Sequence, residues 1–500
     1  MSFKETLGQL GAQPDIILII TDEQTTPTEN YPKGWEEANL HSLSFLKKNG
    51  FTFNKAFCNT CMCSPSRATL FTGTYPAIHG VSQTLTEGGP LSPAEQTLSN
   101  TVPTIMNTLW NAGYDVQYRG KWHMSKGVAA NGSNTNYDQL SDADIALYGA
   151  MGWEAPDAGE DVNPLNFGGG FANHDAKYVT QAIKYLKQVR ARRASGDTTP
   201  YCLILSLVNP HDVLAYPNTA GTYGYHSSTW SGRDVGLPAT INENLLESKK
   251  PLAQELILLT MAAGLGRLTD REQQLNYVNF YAYLQTHVDK EIGYFVEELY
   301  REVEGSRLAD QAIVIQTSDH GEMGLAHGGL RQKTFVAYEE AIKVPMVFSN
   351  PVLFGGGKRQ QSDALATLVD IMPTLMEIAN VQSPPSNLAG TSLVPVMAEG
   401  KAVQSSILFT FDDTKAGSNN MWSAVKAANR IRCIRTEDWK YDYYFDAMGS
   451  YANQYELYDL KADPLETTNL AYDPAFKKIR EELEQQLKEL ERSKLLVRAQ

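Results

Sequence analysis

Short apolar runs recur along the first two thirds of the chain, and polar residues follow each of them at once. Four such runs span residues 15–20, 114–118, 201–207 and 312–316. Continuous apolar runs of this length are typical of strands that are buried on both faces of a parallel sheet. Segments with helical periodicity separate the runs, so the pattern predicts an α/β fold.

The segments between the runs carry the period of a helix. They predict helices near 40–49, 102–112, 176–192 and 271–302. A further helix begins around Pro65, which suits a first helical turn, and ends before Gly73, which suits the residue just past a helix. Cys63 is therefore predicted at a helix N-terminus, where free N–H groups favour an anionic ligand and lower the pKa of a thiol.

The pattern changes after residue 395. Residues 407–411, 430–435 and 439–445 alternate like strands of an antiparallel sheet, and 475–490 has one apolar helical stripe. We therefore expect an α/β catalytic domain over residues 1–395 and a smaller α+β domain over 396–500. Two aromatic-rich stretches without periodicity, 125–171 and 216–236, are typical of substrate-binding loops.

Residues with catalytic or ligating side chains stand where the four predicted strands end. They are Asp22, Lys121, His123, His211, Asp319 and His320. In open α/β sheets the ligand binds beyond the carboxyl ends of the strands. We therefore expect these side chains to converge on one site.

Composition and charge limit the partners. The 500 residues carry a formal net charge of −14, which argues against nucleic acid or an anionic membrane as the main partner. No apolar stretch reaches transmembrane length, and the first 14 residues hold no apolar core like that of a signal peptide. The sequence alone therefore predicts a cytoplasmic protein.

The five cysteines do not have the spacing of a disulfide framework. Three of them lie close together as Cys58-x-x-Cys61-x-Cys63, which could be half of a zinc or iron–sulfur site. Against that alternative, Cys202 and Cys433 stand singly elsewhere, so no second close pair completes a four-thiolate site.

The stretch Cys63-Ser64-Pro65-Ser66-Arg67, followed by Thr72-Gly73, resembles the signature of the type I sulfatases. In that family the cysteine is oxidised to Cα-formylglycine (3-oxoalanine). A second likeness, to the C-terminal domain of sulfatases, lies in 456–460 with Asp463-Pro464 and Asn469-Leu470. The resemblance implies an alkaline-phosphatase-like fold, with a large mixed, mostly parallel sheet sandwiched by helices and a smaller C-terminal α+β domain.

The resemblance also implies a reaction and its cofactors. The expected activity is hydrolysis of aryl or alkyl sulfate monoesters through a covalent sulfo-enzyme on hydrated formylglycine derived from Cys63. Asp22, Asp319 and His320 fall where sulfatases place metal ligands, and Glu23 occupies the second acidic position. The aldehyde hydrate at Cys63 would complete the metal shell. Such ligands suit one divalent ion, Ca²⁺, Mn²⁺ or Mg²⁺. The implied partners are a small sulfate ester and a formylglycine-generating maturation enzyme.

The remaining positions of the family pattern imply further roles. Arg67 and Lys121 would hold the hydrate and balance charge, and His123 would accept a proton from it. His211 and Lys333 would contact the sulfate oxygens and help neutralise the leaving oxygen.

Two departures from the commonest sulfatase pattern leave an alternative open. Glu23 stands where Asp is usual, and His320 stands where Asn is usual. Asp-His occurs in the branch that includes phosphonate monoester hydrolases, so a phosphonate monoester or phosphodiester hydrolase with the same site is the nearest alternative. A non-catalytic anion-binding protein and a metal–thiolate protein are alternatives of other classes. The sequence leaves the alcohol and any homo-oligomer open.

Overall fold

The computed structural model describes residues 3–26, 31–86, 94–128, 134–136, 140–157, 174–218, 224–231, 235–355, 360–415 and 425–495. The strands are β1 (Asp15–Asp22), β2 (Gly50–Phe57), β3 (Thr60–Cys61), β4 (Asp115–Gly120), β5 (Gly127–Val128), β6 (Asn134–Asn136), β7 (Tyr201–Pro210), β8 (Ala312–Ser318), β9 (Met346–Ser349), β10 (Gln360–Thr367), β11 (Ser406–Phe411), β12 (Arg430–Thr436), β13 (Trp439–Phe445) and β14 (Gln454–Asp459).

The helices are α1 (Phe3–Gln9), α2 (Trp35–Asn39), α3 (His41–Lys48), α4 (Cys63–Thr72), α5 (Pro76–His79), α6 (Ile105–Asn111), α7 (Asp142–Ala146), α8 (His174–Ala194), α9 (Leu252–Gly264), α10 (Arg271–Tyr300), α11 (Ala326–Gly329), α12 (Glu339–Ile342), α13 (Ile371–Ile378), α14 (Val394–Glu399) and α15 (Lys477–Lys494). Within the described ranges, no helix combines the length and the apolar character needed to cross a bilayer.

A seven-stranded sheet in the order β10-β2-β9-β8-β1-β7-β4 forms the centre of the larger part of the molecule. β9 runs antiparallel to both of its neighbours, and the other adjacent strands are parallel. Side chains of β1 alternate between two cores, with Ile16, Leu18 and Ile20 in one and Ile17 and Ile19 in the other. The continuous apolar run thus reflects burial on both faces, and the prediction of a mixed, mostly parallel sheet is confirmed.

Helices cover both faces of this sheet. α8 and α10 contribute side chains to the core that contains Ile17, and α4, α6 and α13 contribute to the core that contains Ile16. The carboxyl ends of β1, β4, β7 and β8 lie at one edge of the sheet because these strands are parallel. That edge is where the predicted site residues fall.

A second sheet has the order β14-β13-β12-β11-β3 and is antiparallel except where β3 joins β11. α15 packs on it through Leu483 and Leu487, which lie on the predicted stripe. β3 ends two residues before Cys63, so this sheet also supports the segment that carries Cys63. The domain boundary between residues 395 and 396 stays a prediction.

Some elements differ from the sequence pattern for local reasons. α6 begins at Ile105 rather than near residue 102, because Thr104 and Asn107 form a reciprocal capping box there. The pattern does not single out β9, which has four residues, or β10, whose first residues are polar and partly exposed. A short or edge strand lacks the continuous apolar run that marked the central strands.

The described aromatic residues of the two predicted substrate loops are mostly buried, and Tyr216 is half-buried. Four of them are buried, namely Tyr148, Trp153, Tyr225 and Trp230. Trp230, for example, packs with its ring centroid 4.5 Å from that of Phe280 in α10. Core packing therefore accounts for these four residues, while Phe167 and Tyr223 lie outside the described residues.

Candidate active site

Cys63 begins α4 in the interior of the protein. Every residue of α4 is buried, and Gly73 closes the helix with a left-handed φ of 62°, as the sequence predicts. The helix start lies at the carboxyl edge of the large sheet, beside the end of β1. This position brings the Cys63 thiol to the strand ends.

Four buried side chains form a compact group of potential metal ligands at this edge. Ligand atoms of Asp22, Cys63, Asp319 and His320 all lie within 4.8 Å of one another. Cys63 Sγ is 3.7 Å from Asp22 Oδ1 and 3.2 Å from His320 Nε2. His320 Nε2 is also 3.6 Å from Asp319 Oδ1. The end of β1, the end of β8 and the start of α4 thus supply one ligand cluster.

The His320 ring is oriented to offer a lone pair to this cluster. Its Nδ1 lies 3.0 Å from the carbonyl oxygen of Gly321, which can only accept a hydrogen bond. Nδ1 therefore carries the proton, and Nε2 faces the cluster as an acceptor. Burial, and then the Lys333 charge, hold the pKa of His320 well below its usual value, so the ring is neutral. A neutral imidazole held through its other nitrogen is the usual form of a metal-ligating histidine.

Arg67 ties the two carboxylates of the cluster together. Its guanidinium donates to Asp22 Oδ2 at 2.8 Å and to Asp319 Oδ2 at 2.9 Å. It also donates to Ser206 Oγ at 2.6 Å and to the carbonyl oxygen of Lys121 at 3.1 Å. The side chain is fully buried, so these bonds are shielded from water. Arg67 thus connects the carboxyl ends of β1, β4 and β8 with Ser206 in β7.

The two carboxylates of the cluster differ in their tendency to ionise. Burial alone would raise the pKa of Asp22, but Lys121 and Arg67 hold it well below its ordinary value. Burial and the neighbouring Asp22 charge raise the pKa of Asp319 to about 7. Near neutral pH the cluster therefore carries one permanent negative charge and a second carboxyl close to its midpoint, which a bound cation would hold ionised.

The Cys63 thiol does not follow the expectation from the sequence. The helix N-terminus was expected to lower its pKa, but burial and the Asp22 charge raise the pKa of Cys63. Desolvation of a fully buried thiolate outweighs the favourable helix end. The expectation of a lowered thiol pKa at this position is therefore wrong for the unmodified residue.

Glu23 faces the other side of the cluster, toward Lys333. Its Oε2 lies 3.1 Å from Lys333 Nζ, and its ligand atom groups with those of Asp22 and His211. Burial raises the pKa of Glu23 well above its usual value, and the nearby Glu322 adds to this effect. The backbone of Glu23 has a φ of 70°, in the left-handed region, directly after the end of β1. The ligand role expected for Glu23 stays a prediction.

Lys121 and His123 follow the end of β4. Lys121 Nζ lies 2.7 Å from Asp22 Oδ2, and both side chains are fully buried. His123 Nε2 lies 3.0 Å from the carbonyl oxygen of Leu85, so Nε2 carries the proton and donates. Nδ1 is then the basic nitrogen of His123.

His211 follows the end of β7 and completes the cationic side of the site. Burial and the Lys121 charge oppose its protonation, but Asp22, Asp212 and Cys63 together raise the pKa of His211 well above its usual value. His211 is therefore a buried imidazolium near neutral pH. With Arg67 and Lys121 it gives the site the positive charge that an anionic substrate needs.

Three residues that the sequence did not single out support this arrangement. Ser206 accepts from Arg67, as described above. Asp157 accepts the backbone N–H groups of Trp122 and His123, and Asp175 accepts those of Val208 and Asn209, next to His211. Their partners lie 33 to 35 residues away in the chain, or farther for Ser206, so no local pattern announces them.

The alternative of a metal–thiolate cluster finds no support in the geometry. Cys58 Sγ lies 3.8 Å from Cys61 Sγ, and both thiols are buried. Among the described residues, the groups that could hold a metal include neither of them. Cys63 instead lies with oxygen and imidazole ligands, which favours a hard or borderline divalent ion.

Family models match nearly the whole chain. A model described as Sulfatase matches residues 14–381, and a model described as N-sulphoglucosamine sulphohydrolase, C-terminal, matches residues 327–493. The first covers the large sheet and the candidate site. The second covers the segment with Lys333 and β11 to β14 of the second sheet.

Individual proteins are similar over the same length. Arylsulfatase K of Mus musculus is 26% identical over 486 residues, which cover 96% of this chain and 80% of that protein. The solved structure of a 2-O GAG sulfatase has a TM-score of 0.72 at 23% identity and covers 96% of this chain and 93% of its own. The phosphonate monoester hydrolase of Agrobacterium radiobacter has a TM-score of 0.66 at 21% identity, with 97% and 96% covered.

Proposed function

Because the chain belongs to the sulfatase family and is a sulfuric ester hydrolase, we propose that a formylglycine derived from Cys63 provides its nucleophile. The observation that carries this proposal is the buried cluster of Asp22, Cys63, Asp319 and His320. A thiol with a raised pKa is a poor nucleophile, so the unmodified cysteine gives no good account of catalysis here. In this structure Cys63 Sγ marks the place of the oxygens of the hydrated aldehyde.

The residues around Cys63 fit one divalent metal ion. Two carboxylates and a neutral imidazole converge without solvent exposure, and we propose Asp22, Asp319 and His320 as the ligands contributed by unmodified residues. Ca²⁺, Mn²⁺ and Mg²⁺ all accept such donors, and the histidine favours Mn²⁺ among them. When bound, the metal and the aldehyde hydrate together supply a hydroxyl of lowered pKa as nucleophile.

Arg67 and Lys121 are the cations that hold the Asp22 carboxylate in place. Both contact Asp22, so they keep that carboxylate ionised and hold it in one orientation. They also place two permanent positive charges next to the position of the nucleophile. We assign them charge balance and orientation of the hydrate.

His123 is the proposed proton acceptor. Its Nε2 donates to the Leu85 carbonyl, which directs the basic Nδ1 to the other side of the ring. An imidazole with one nitrogen fixed by a backbone carbonyl is suited to general base catalysis through its other nitrogen. In the proposal His123 accepts the proton of the second hydroxyl of the hydrate when sulfate is released from the enzyme.

His211 and Lys333 are the proposed contacts of the sulfate group. His211 is cationic near neutral pH because of its acidic neighbours, and Lys333 Nζ lies 3.1 Å from Glu23 Oε2. Cations fixed in a water-poor site stabilise the charge that develops on the leaving oxygen. His211 can also donate its proton to that oxygen.

Sulfated sugars are the proposed natural substrates. The similarity to a 2-O GAG sulfatase and to the C-terminal model of N-sulphoglucosamine sulphohydrolase supports this class. The first assay is therefore hydrolysis of 4-nitrophenyl sulfate beside sulfated glucosamines and uronates. Matched aryl phosphonate monoesters test the alternative, which the similar phosphonate monoester hydrolase and the Asp319–His320 pair both raise. Faster turnover of the phosphonate than of the sulfate would overturn the assignment.

The nucleophile is tested by the mass of the tryptic peptide that covers residues 56–67, from protein purified from its native host. We expect the mass loss of a thiol converted to an aldehyde at Cys63. Fully active protein with an intact thiol would refute the formylglycine proposal. Cys63→Ala serves as the control, since it should fold and bind metal weakly but show no turnover.

A further inference from the structure

Two buried carboxylates outside the ligand cluster hold the backbone of the turns that carry catalytic side chains. Asp157 accepts the N–H of Trp122 at 2.8 Å on one oxygen and the N–H of His123 at 2.7 Å on the other. The side chain is 1% exposed, and it contacts neither Cys63 nor the ligand carboxylates through any of these bonds. These bonds of Asp157 therefore act on the backbone of the turn and not on the reacting atoms.

The turn between residues 120 and 123 needs such support. His123 has a φ of 52°, in the left-handed region that non-glycine residues rarely adopt, and Gly120 has a φ of 100°. Only the N–H of Lys121 continues the sheet, by donating to Ser206 O at 2.9 Å. The two following N–H groups donate to Asp157, so this carboxylate fixes the conformation that separates the Lys121 and His123 side chains.

Asp157 is itself held firmly relative to β4. Met151 exchanges backbone hydrogen bonds with β4, donating to Val116 O and accepting from Tyr118 N, each at 2.9 Å. Trp153 Nε1 donates to Gly120 O at 2.9 Å. The segment that carries Asp157 thus runs along β4 to the turn. The hydrogen bonds of Met151 and Trp153 fix the position of the Asp157 carboxylate.

Asp175 repeats the arrangement at the end of β7. Its Oδ1 accepts the N–H of Val208 at 2.7 Å, and its Oδ2 accepts the N–H and the side-chain amide of Asn209 at 3.1 and 2.9 Å. The carboxylate is fully buried in the first turn of α8. It holds the last residues of β7, two positions before His211.

We propose that Asp157 and Asp175 are positioning residues for the sulfatase reaction, Asp157 for Lys121 and His123 and Asp175 for His211. The inference rests on the proposed roles of those three side chains. A backbone shift of about 1 Å at a catalytic group can cost on the order of 10²-fold in rate. Loss of either carboxylate should therefore reduce turnover without removing any group that touches substrate.

The two positions predict different kinetic effects. Asp157→Asn should lower kcat by about 10- to 100-fold with KM nearly unchanged, because Lys121 and His123 act on the nucleophile and its proton. Asp175→Asn should raise KM as well as lower kcat, because His211 contacts the sulfate group. An amide in place of the carboxylate turns one acceptor into a donor that faces an N–H group.

Asp289 provides a matched control. It is 3% exposed and accepts the N–H groups of Ser42 and Leu43, both at 2.9 Å, at the start of α3. Asp289 thus accepts two consecutive backbone N–H groups, as Asp157 does, but Asp289 lies outside the residues assigned to the site. Asp289→Asn should lower the melting temperature about as much as Asp157→Asn, while kcat and KM stay within about twofold of the parent.

The test combines amide hydrogen exchange with kinetics on metal-loaded protein. Mass spectrometry of peptides that cover residues 119–125 should show faster exchange in Asp157→Asn and no change in Asp289→Asn. This readout does not depend on activity, so a parent enzyme without sulfatase turnover would refute the proposed function and still leave the hydrogen-bonding arrangement tested. Unchanged exchange in Asp157→Asn would overturn the inference at its first step.

Two kinetic outcomes would also overturn the positioning role proposed for Asp157. One is a folded Asp157→Asn variant with kcat within twofold of the parent, and the other is an equal loss of kcat in Asp289→Asn. If Asp157→Asn does not fold, Asp157→Glu keeps the charge and both oxygens on a longer side chain. Turnover in Asp157→Glu equal to the parent, with faster exchange in 119–125, would likewise refute the positioning role. Intermediate turnover is the expected result.

Discussion

Arg67→Lys is the substitution whose effect the structure specifies most closely. The change keeps one positive charge but replaces a planar group with five donors by a single ammonium. In the native site the guanidinium donates to Asp22, Asp319, Ser206 and the Lys121 carbonyl at 2.6 to 3.1 Å. An ammonium group cannot reach all of these partners at once, so at least one buried carboxylate loses a charged hydrogen bond from residue 67.

The size of the effect follows from burial. A hydrogen bond to a charged group contributes about 1.5–3 kcal/mol, and removing one partner of a buried ion pair costs about 3–5 kcal/mol. The side chains of Arg67, Asp22 and Asp319 are fully buried, so solvent does not screen these interactions and their free energies are not reduced. Because the lysine keeps one positive charge, we expect Arg67→Lys to lower the free energy of unfolding by about 1.5–3 kcal/mol for each charged hydrogen bond lost, with the about 3–5 kcal/mol of an unpaired buried charge as the upper limit.

The measurement is urea unfolding followed by both tryptophan fluorescence and circular dichroism, in excess chelator so that metal binding does not contribute. Arg192→Lys is the control, because Arg192 also pairs with a carboxylate at 2.7 Å, on Asp115, but is 34% exposed. Exposed pairs contribute about 0–1 kcal/mol, so this variant should unfold almost like the parent.

A loss below about 1 kcal/mol in Arg67→Lys, or equal losses in the two variants, would refute the reasoning. Either result would mean that the buried carboxylates do not depend on the guanidinium. The same protein should also show reduced kcat, since Arg67 fixes the orientation of Asp22.

Three further predictions concern acid stability, metal binding and packing. Burial lowers the pKa of His79 to about 3 from 6.5, so protonation of the unfolded chain removes stability as the pH falls below 6.5, by about 1.4 kcal/mol per unit. His79→Gln should flatten this slope in urea titrations between pH 7 and 4, and an unchanged slope would contradict the assignment. Glu23→Gln should weaken metal binding, measured by competition with a chelating dye, less than Asp319→Asn does, because Glu23 contacts Lys333; equal losses would make Glu23 a ligand. Gly120→Ala should destabilise the fold by about 3 kcal/mol or more, since a Cβ would lie 1.8 Å from the carbonyl oxygen of Ser206 at a φ of 100°. A melting temperature within about 2 °C of the parent would contradict this.

The sequence by itself determined the central strands and the residues at their ends. β1, β7 and β8 are buried on both faces, so each contains a short continuous apolar run, which is typical of a strand inside a parallel sheet. Cys63 and Arg67 lie within ten residues of chain, and their spacing with Pro65 and Gly73 is set by one helix. Local patterns of this kind are readable because the interaction partners are neighbours in sequence.

The tertiary structure decided which groups meet and how they ionise. β9 and β10 joined the large sheet without a marked apolar pattern, because a four-residue strand and a partly exposed edge strand need little of one. Asp157 came from a stretch with no periodicity and reached a turn 34 to 35 residues earlier in the chain. The pKa of the Cys63 thiol likewise could not be predicted from the local sequence. Its helix end favours the thiolate, but desolvation depends on everything packed around the sulfur, and only the folded protein determines that surrounding.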